Sequence, residues 1–248
     1  MINFERHSNL FFMKIVYLIL LAAGFYFAFI FARLIFIVST ANLTPIKQAD
    51  RTVGVGPRLK YLAAGDSTAV GVGASSVEKS YTYQLTDYFA IKNTVEYHNI
   101  AVIASKTEDV VEKQLPAIIA FNPDVITISI GANDLNHLKK DARIIQNYKI
   151  IIAELTKKTN AQIYITDIAA LDNSELFPWF YRNYLRYRAN GINAQLLKLE
   201  TERVKIINIH DFGWSGYSDL RTTFAADMFH PNDEGYKNWT NAFLSKID

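Results

Sequence analysis

Three short polar segments carry the residue types needed for nucleophilic catalysis. Ser67 lies in a Gly-Asp-Ser segment, Asn133 in a Gly-Ala-Asn-Asp segment, and His230 in an Asp-x-x-His segment that begins at Asp227. A serine hydroxyl becomes a strong nucleophile when a nearby base removes its proton, and histidine titrates near neutral pH. The set is therefore suited to acyl transfer through a serine. Asp227 would orient the imidazole, and Asn133 would donate a hydrogen bond to a developing oxyanion.

Each segment also has a simpler structural interpretation. Ser67 could be an ordinary turn residue with Asp66 capping the next helix, and Asn133 could be a helix cap as well. Asp227 and His230 could bind a metal ion, although no other histidine or acidic cluster in the sequence has ligand spacing. Each segment alone is short enough to arise by chance. Their joint presence favours the catalytic interpretation.

The elements that must position these segments alternate between strand and helix patterns. Apolar and β-branched runs predict strands at residues 60–65, 95–102, 125–130, 161–168 and 204–210. Helical patterns occupy residues 81–91, 142–157, 180–201 and 234–245, and one more begins near residue 107. This alternation predicts a mainly parallel, five-stranded sheet covered by helices on both faces, which is a three-layer α/β/α sandwich. Ligands bind at the carboxyl ends of such strands, where the three segments are expected to lie.

A long apolar segment precedes this pattern. Residues 15–32 contain no charged side chain, and the apolar run continues past Arg33 to residue 38. Eighteen helical residues span about 27 Å, enough to cross the hydrocarbon core of a bilayer. The segment at residues 15–38 therefore predicts an N-terminal transmembrane helix. A signal peptide cleaved near residues 39–41 is the alternative.

Charge does not fix the orientation of this helix, because basic residues lie on both sides of it. We expect the large domain on the extracytoplasmic side, since a single N-terminal anchor commonly exports the domain attached to its C-terminal end. Composition divides the chain into an N-terminal segment with the anchor at residues 1–38, a polar linker at residues 39–57 and one large domain at residues 58–248.

Charge and composition exclude several functions. Five of the 26 basic and two of the 24 acidic residues lie in residues 1–51, which leaves the remainder with a net charge of −1. A nearly neutral domain lacks the basic surface that nucleic-acid binding requires. The absence of cysteine excludes disulfide scaffolds, thiolate metal sites and cysteine nucleophiles. The glycine-rich residues 71–76 resemble a truncated dinucleotide fingerprint, but Ser76 replaces the third glycine.

Residues 177–188 combine many aromatic side chains with arginines. Phe177, Tyr181, Tyr184 and Leu185 have helical spacing, which predicts an amphipathic helix packed on the sheet. The alternative is a lipid-facing or substrate-mouth surface, where aromatic rings lie at an interface and arginines contact phosphate.

The three catalytic segments, in this order, resemble the blocks of the SGNH hydrolase superfamily, also called the GDSL lipase/esterase family. The resemblance extends from residue 65 to residue 236, nearly the whole predicted domain. It implies a flavodoxin-like three-layer fold and ester hydrolysis through an acyl-enzyme, without a metal or organic cofactor. It also implies that Ser67 is the nucleophile, His230 the base and Asp227 its partner. The implied oxyanion donors are the N–H of Ser67, the N–H of Ala104 and the amide of Asn133.

One block departs from the family pattern. The second block usually reads Asn-x-Gly-x-x-Gly-x-x-Thr, but residues 99–107 have Ala101 and Ala104 in place of the glycines. The oxyanion donor corresponds to the backbone N–H of Ala104, which alanine also possesses. A positive φ at that position would strain an alanine, and the added methyl group would narrow the oxyanion hole.

The sequence therefore predicts a membrane-anchored serine hydrolase with a small-molecule ester or lipid substrate, attached to the membrane by its N-terminal helix and without a nucleic-acid partner. Lipids and acylated envelope glycans are the expected substrates. A thioesterase or lysophospholipase with the same residues is one alternative. A non-catalytic binding module that retains the fold is another: Ala101 and Ala104 favour it, whereas Ser67, Asp227 and His230 argue against it.

Overall fold

The computed structural model describes residues 2–41, 43, 46–169, 171–212 and 220–247, so residues 42, 44 and 45 of the predicted linker lie outside the described residues. The chain divides into two units, residues 1–41 and residues 42–248. The first unit is the helix α1 (Ile2–Thr40). Its stretch Phe11–Ile37 is long and apolar enough to cross a membrane, and none of it is buried. That length and composition fit either a membrane anchor or a signal sequence.

The second unit contains a sheet and the helices that cover it. The strands are β1 (Arg51–Val53), β2 (Arg58–Gly65), β3 (Thr94–Asn99), β4 (Val125–Ser129), β5 (Gln162–Thr166) and β6 (Val204–Ile207). The helices are α2 (Ser67–Val70), α3 (Tyr81–Ala90), α4 (Thr107–Asp109), α5 (Leu115–Phe121), α6 (Ala132–Asn136), α7 (Asp141–Lys158), α8 (Trp179–Leu196), α9 (Ile209–Phe212) and α10 (Asp233–Leu244). A π-helical turn, Val110–Gln114, joins α4 to α5. Short 3-10 turns occupy Val77–Lys79, Leu171–Asn173, Leu197–Leu199 and Leu220–Thr223.

The sheet has one strand more than the five predicted. Its order is β1-β3-β2-β4-β5-β6, with β2 to β6 parallel and β1 antiparallel to β3. The additional strand β1 comes from the stretch predicted to be a linker, where Arg51 lies opposite Tyr97 and Val53 opposite Val95. Three residues are too few to show a strand period, so the pairing depends on the open edge of β3.

Strand β2 shows how the sheet separates two hydrophobic cores. Leu62 and Ala64 belong to the core that α5, α7 and α8 cover. Tyr61 and Ala63 belong to the core that α3 and α10 cover. Successive side chains of a strand point to opposite faces, so this apolar run of β2 is buried on both sides. The three-layer α/β/α architecture predicted from the sequence is confirmed.

The strand order creates a crevice at the carboxyl edge of the sheet. The chain passes from β2 to β3 on one side and then crosses to β4 on the other side of β2. The connections after neighbouring strands β2 and β4 therefore diverge, and ligands bind at such switch points. Ser67 begins α2 directly after β2, and Asn133 lies in α6 directly after β4.

Candidate active site

Three predicted site residues form a continuous hydrogen-bonded series. The Nε2 atom of His230 is 2.8 Å from Oγ of Ser67, and its Nδ1 atom is 2.5 Å from Oδ2 of Asp227. Ser67 and Asp227 are buried, and His230 is partly buried. An imidazole within hydrogen-bond reach of a hydroxyl can accept its proton, and a carboxylate on the opposite nitrogen can hold the required tautomer.

Ser67 occupies a sharp turn from strand to helix. The Oδ1 atom of Asp66 accepts hydrogen bonds from the backbone N–H of Thr68 at 2.9 Å and from its hydroxyl at 2.7 Å. Asp66 is therefore the N-cap of α2, as the structural interpretation of this segment predicted. The cap and the nucleophilic geometry coexist, because the Asp66 side chain bonds the helix while the Ser67 hydroxyl reaches His230.

Burial changes the acidity of Asp66. Loss of hydration raises the pKa of this carboxyl to about 6, although the two hydrogen bonds from Thr68 act in the opposite direction. In the unfolded chain the carboxyl has its ordinary pKa, near 3.8. Between these two values the folded protein holds a proton that the unfolded chain has lost. The contribution of Asp66 to stability therefore falls as the pH rises through this window.

The variant Asp66→Asn should not show this dependence, because its amide does not titrate and its Oδ1 atom can still cap Thr68. We expect its free energy of unfolding, relative to wild type, to increase by about 2.4 kcal/mol between pH 4 and pH 7. Urea unfolding of both proteins across this range measures the difference, in which the other titrating groups cancel. A difference that stays constant with pH would contradict the raised pKa of Asp66.

Asp227 holds His230 through both the backbone and the side chain. Its Oδ1 atom accepts the N–H groups of Phe229 and His230, each at 3.0 Å, while Oδ2 contacts the imidazole. Burial alone would raise the pKa of Asp227, but the hydrogen bonds and the charge of His230 outweigh it and leave the pKa below its ordinary value. Asp227 therefore remains ionised, the state that orients and stabilises an imidazolium.

A strained residue shapes the turn between Asp227 and His230. Met228 has a φ of 55°, in the left-handed region that non-glycine residues rarely adopt. The Ser174 hydroxyl donates to the Met228 carbonyl, and the N–H of Ala225 donates to the His230 carbonyl at 2.8 Å. These bonds hold the turn closed. The Asp-x-x-His spacing thus brings ring and carboxylate together through a strained turn that no feature of the sequence indicated.

Gly73 allows the glycine-rich loop to approach the catalytic turn. It has a φ of 98°, and a Cβ atom there would lie 2.4 Å from the Pro231 carbonyl oxygen and 2.9 Å from Cβ of His230. Only glycine fits such a backbone conformation at such a close contact. Packing against the turn that contains His230 and Pro231 therefore accounts for Gly73.

The loop between β3 and α4 contains Ala104, one of the three predicted oxyanion donors. Ala104 has a φ of 65°, in the left-handed region that strains an alanine and that glycine, the usual family residue at this position, adopts freely. The Nδ2 atom of Asn133 donates one hydrogen to the Ser105 carbonyl at 3.0 Å and carries a second for another acceptor. Asp134 accepts the N–H and the hydroxyl of Thr107 at 2.9 and 2.7 Å. Asp134 thus fastens the end of this loop to α6.

Ala104→Gly should stabilise the protein, because glycine adopts a positive φ without the steric cost that alanine carries. We expect a gain of about 0.5–1 kcal/mol in the free energy of unfolding, with kcat within about threefold of wild type, since the backbone N–H remains. Ala101→Gly is the matched control, because Ala101 does not have a positive φ and should lose stability on substitution. Equal losses in both variants would show that Ala104 is unstrained.

Most of the aromatic segment at residues 177–188 forms the first part of α8, which begins at Trp179. Leu185 is buried in the core beneath the sheet, and Phe177 and Tyr181 pack partly against that core. Trp179 and Tyr184 on the other side are 64% and 43% exposed. The helix is thus amphipathic, with an aromatic outer surface.

Aromatic contacts link this helix to the catalytic turn. The ring of Tyr181 lies 5.4 Å from that of Phe177, which lies 6.4 Å from Phe229. Phe229 in turn packs edge-on against the His230 ring, with centroids 5.0 Å apart. The helix therefore supports one side of the site through packed rings.

The alternative interpretation of Asp227 and His230 was metal binding, which would need further ligands such as another histidine. Among the residues that the structure describes, no group of three or more His, Asp or Glu side chains could hold a metal ion. His98 contacts Asp50 and Glu96, and His137 contacts the Asn133 carbonyl. These two histidines therefore have local structural partners away from the Ser67–His230–Asp227 series.

The chain belongs to the GDSL-like lipase/acylhydrolase family, whose sequence profile matches residues 63–237. It is accordingly a hydrolase of ester bonds. The matched range contains all five predicted site residues, namely Ser67, Ala104, Asn133, Asp227 and His230. No curated protein matches the chain in sequence.

Solved structures share the fold at low sequence identity. The lipase Lip_vut3 from a goat rumen metagenome is 21% identical, with a TM-score of 0.61 over 75% of this chain and 96% of that chain. A G-D-S-L family protein from Veillonella parvula DSM 2008 is 16% identical, with a TM-score of 0.61 over 75% and 96%. The acetylxylan esterase Axe2 from Geobacillus stearothermophilus is 16% identical, with a TM-score of 0.58 over 78% and 96%.

Sequence reasoning missed one buried polar residue beside this site, Gln114. It contacts the backbone of Gly65 and the hydroxyl of Ser105. A signal was present in the sequence, since Gln114 lies four residues from Val110 and from Ile118, on the same helical stripe. All three side chains are buried. A glutamine in an otherwise apolar stripe indicates a buried polar partner.

Proposed function

We propose that this protein is a membrane-anchored serine esterase that cleaves carboxylic esters through an acyl-enzyme intermediate. The observation that carries the proposal is the hydrogen-bonded series from Ser67 Oγ through both His230 ring nitrogens to Asp227. It supplies a nucleophile, a base and a group that orients the base, each within bonding distance of the next.

The acylation step uses each of these positions in turn. Oγ of Ser67 attacks the ester carbonyl carbon while its proton passes to Nε2 of His230. The carbonyl oxygen becomes an oxyanion, which the N–H groups of Ser67 and Ala104 and the Asn133 amide stabilise. The imidazolium, held by ionised Asp227, then gives its proton to the departing alkoxide. The alcohol leaves, and the acyl group remains on Ser67.

Deacylation repeats these steps with a water molecule in place of the serine hydroxyl. His230 removes a proton from a water molecule as the water oxygen attacks the acyl carbonyl carbon. The second tetrahedral intermediate uses the same oxyanion donors, and the proton on His230 returns to Oγ of Ser67 as the carboxylic acid leaves. The side chains and backbone donors of this one crevice provide every acid and base that both steps need.

Two considerations support a lipid or acylated envelope substrate. The apolar stretch Phe11–Ile37, as an uncleaved anchor, would keep the domain at a membrane surface, on the extracytoplasmic side in our proposal. Two proteins with this fold, Axe2 and the esterase CEX, are an acetylxylan esterase and an esterase active on acetylated mannans. Acyl groups on glycans near the membrane are therefore a fitting substrate class. A thioesterase or lysophospholipase would use the same side chains.

Covalent labelling of the full chain in detergent micelles tests the proposal. A fluorophosphonate probe should label wild type at Ser67, because the probe reacts with an activated serine. Turnover should then be measured on p-nitrophenyl esters of increasing chain length, an acyl thioester, lysophospholipids and acetylated sugars, and the best substrate defines the class. A wild type that neither labels nor hydrolyses any of these would support a binding module instead.

A further inference from the structure

Gln114 is buried where strand β2 leaves the sheet. Its Oε1 atom accepts the N–H of Gly65 at 2.8 Å, and its Nε2 atom donates to the Gly65 carbonyl at 2.8 Å. The amide thus pairs with both polar groups of one backbone residue, as a neighbouring strand would. Gly65 precedes the nucleophile Ser67 by two residues, so this pairing lies at the start of the turn that presents Ser67.

The same side chain also contacts the oxyanion loop. Nε2 of Gln114 lies 3.3 Å from Oγ of Ser105, the residue after Ala104. Both Gln114 and Ser105 are at least 95% buried. One amide therefore bridges the strand that presents the nucleophile and the loop that presents the Ala104 N–H.

The backbone conformation of Gly65 explains why a side chain from another segment, Gln114, anchors the end of β2. Gly65 has a φ of 125°, and a Cβ atom there would lie 1.9 Å from the Ser129 carbonyl oxygen. The strand end is therefore restricted to glycine and has no side chain of its own to anchor it. Gln114 ends a π-helical turn two residues before Pro116, and such turns occur frequently at functional sites.

We propose that Gln114 is a positioning residue, which fixes the spacing between Ser67 and the Ala104 N–H. The inference rests on the proposed esterase function. Gln114 acts through Gly65 and Ser105 and touches no substrate. Because a misplacement of about 1 Å in a catalytic group can cost about 10²-fold in rate, its loss should lower kcat rather than raise KM.

The first test replaces Gln114 by methionine, which has a similar length but forms none of these hydrogen bonds. We expect kcat to fall about 10- to 100-fold, with KM within about threefold of wild type. Thr86→Val is the matched control. The fully buried Thr86 hydroxyl donates to the Thr82 carbonyl within α3, which contains none of the site residues. Its loss should lower the unfolding midpoint and leave kcat unchanged.

The second test uses Gln114→Glu, which preserves shape and makes the pairing depend on protonation. A neutral carboxyl group can accept from the Gly65 N–H and donate to the Gly65 carbonyl, whereas a carboxylate cannot donate. The ratio of kcat for this variant to kcat for wild type should therefore rise as the pH falls from 8 to 5. The corresponding ratio for Gln114→Met should stay flat, because methionine does not titrate.

Three outcomes separate the possibilities. Active wild type with an equally active Gln114→Met variant would overturn the positioning role, even if the variant unfolded more easily. A flat pH ratio for Gln114→Glu would overturn it independently, including where the methionine variant does not fold. Wild type without hydrolytic activity would contradict the proposed function itself.

Discussion

Replacing Ser67 by alanine is expected to abolish fluorophosphonate labelling and to lower kcat for ester hydrolysis by about 10⁴- to 10⁶-fold. The reason is direct, since Oγ of Ser67 is the atom that bonds to the acyl carbon in the proposed mechanism, and His230 Nε2 lies 2.8 Å from it. The fold should persist, because α2 is capped by Asp66 rather than by the lost hydroxyl. Gel detection of the label and turnover of p-nitrophenyl acetate measure the effect, with circular dichroism reporting the fold.

Ser80→Ala is the matched control for this variant. Ser80 is also buried, but its hydroxyl donates to the Val77 carbonyl ahead of α3. This control should label and turn over like wild type. Labelling that survives in Ser67→Ala would place the reactive nucleophile on another residue.

Replacing His230 by alanine should lower kcat by a similar factor and leave substrate binding within a few-fold of wild type, because the loss falls on the transition state. His230 is the only imidazole that the structure places between Ser67 and Asp227, among the residues it describes. Asp227→Asn should cost less, about 10⁴-fold, since the base remains but its tautomer is no longer fixed. Steady-state kinetics with a short acyl ester would measure both.

His98→Ala provides the comparison, because His98 contacts Asp50 and Glu96 at the outer part of the sheet. It should retain wild-type kcat. The double variant Ser67→Ala/His230→Ala should be no slower than either single variant, since the two groups act as one unit. Wild-type turnover in His230→Ala would identify another base.

The amino-acid sequence was sufficient to predict the parallel part of the sheet and the polar residues at its carboxyl edge. Strand β4 (Val125–Ser129) is buried at every position, so its mainly apolar, β-branched sequence is what a central parallel strand requires. The segments containing Ser67 and Asn133 come immediately after β2 and β4, so their convergence is a consequence of strand order alone. The left-handed Ala104 was also foreseeable, because the family has glycine at that position.

Other features depend on tertiary contacts that no local pattern records. Strand β1 has three residues, and its pairing is decided by the free edge of β3. Met228 adopts a positive φ because the bonds around Asp227 and His230 hold it there, against the local preference of methionine. The role of Gln114 depends on the backbone of Gly65, which is distant in sequence. The position of Gln114 in an apolar helical stripe was the only sequence signal for a buried polar contact.

Strand β1 also has a consequence for how the domain can be separated from the N-terminal helix. It covers the outer backbone of β3, and just ahead of it Gln48 donates to the Val70 carbonyl at 2.7 Å and accepts from the Tyr97 hydroxyl at 3.0 Å. A polypeptide starting after Val53 would leave the outermost ladder of β3 open to self-association and fibril growth. Proteolytic release that preserves solubility must therefore cut ahead of Gln48.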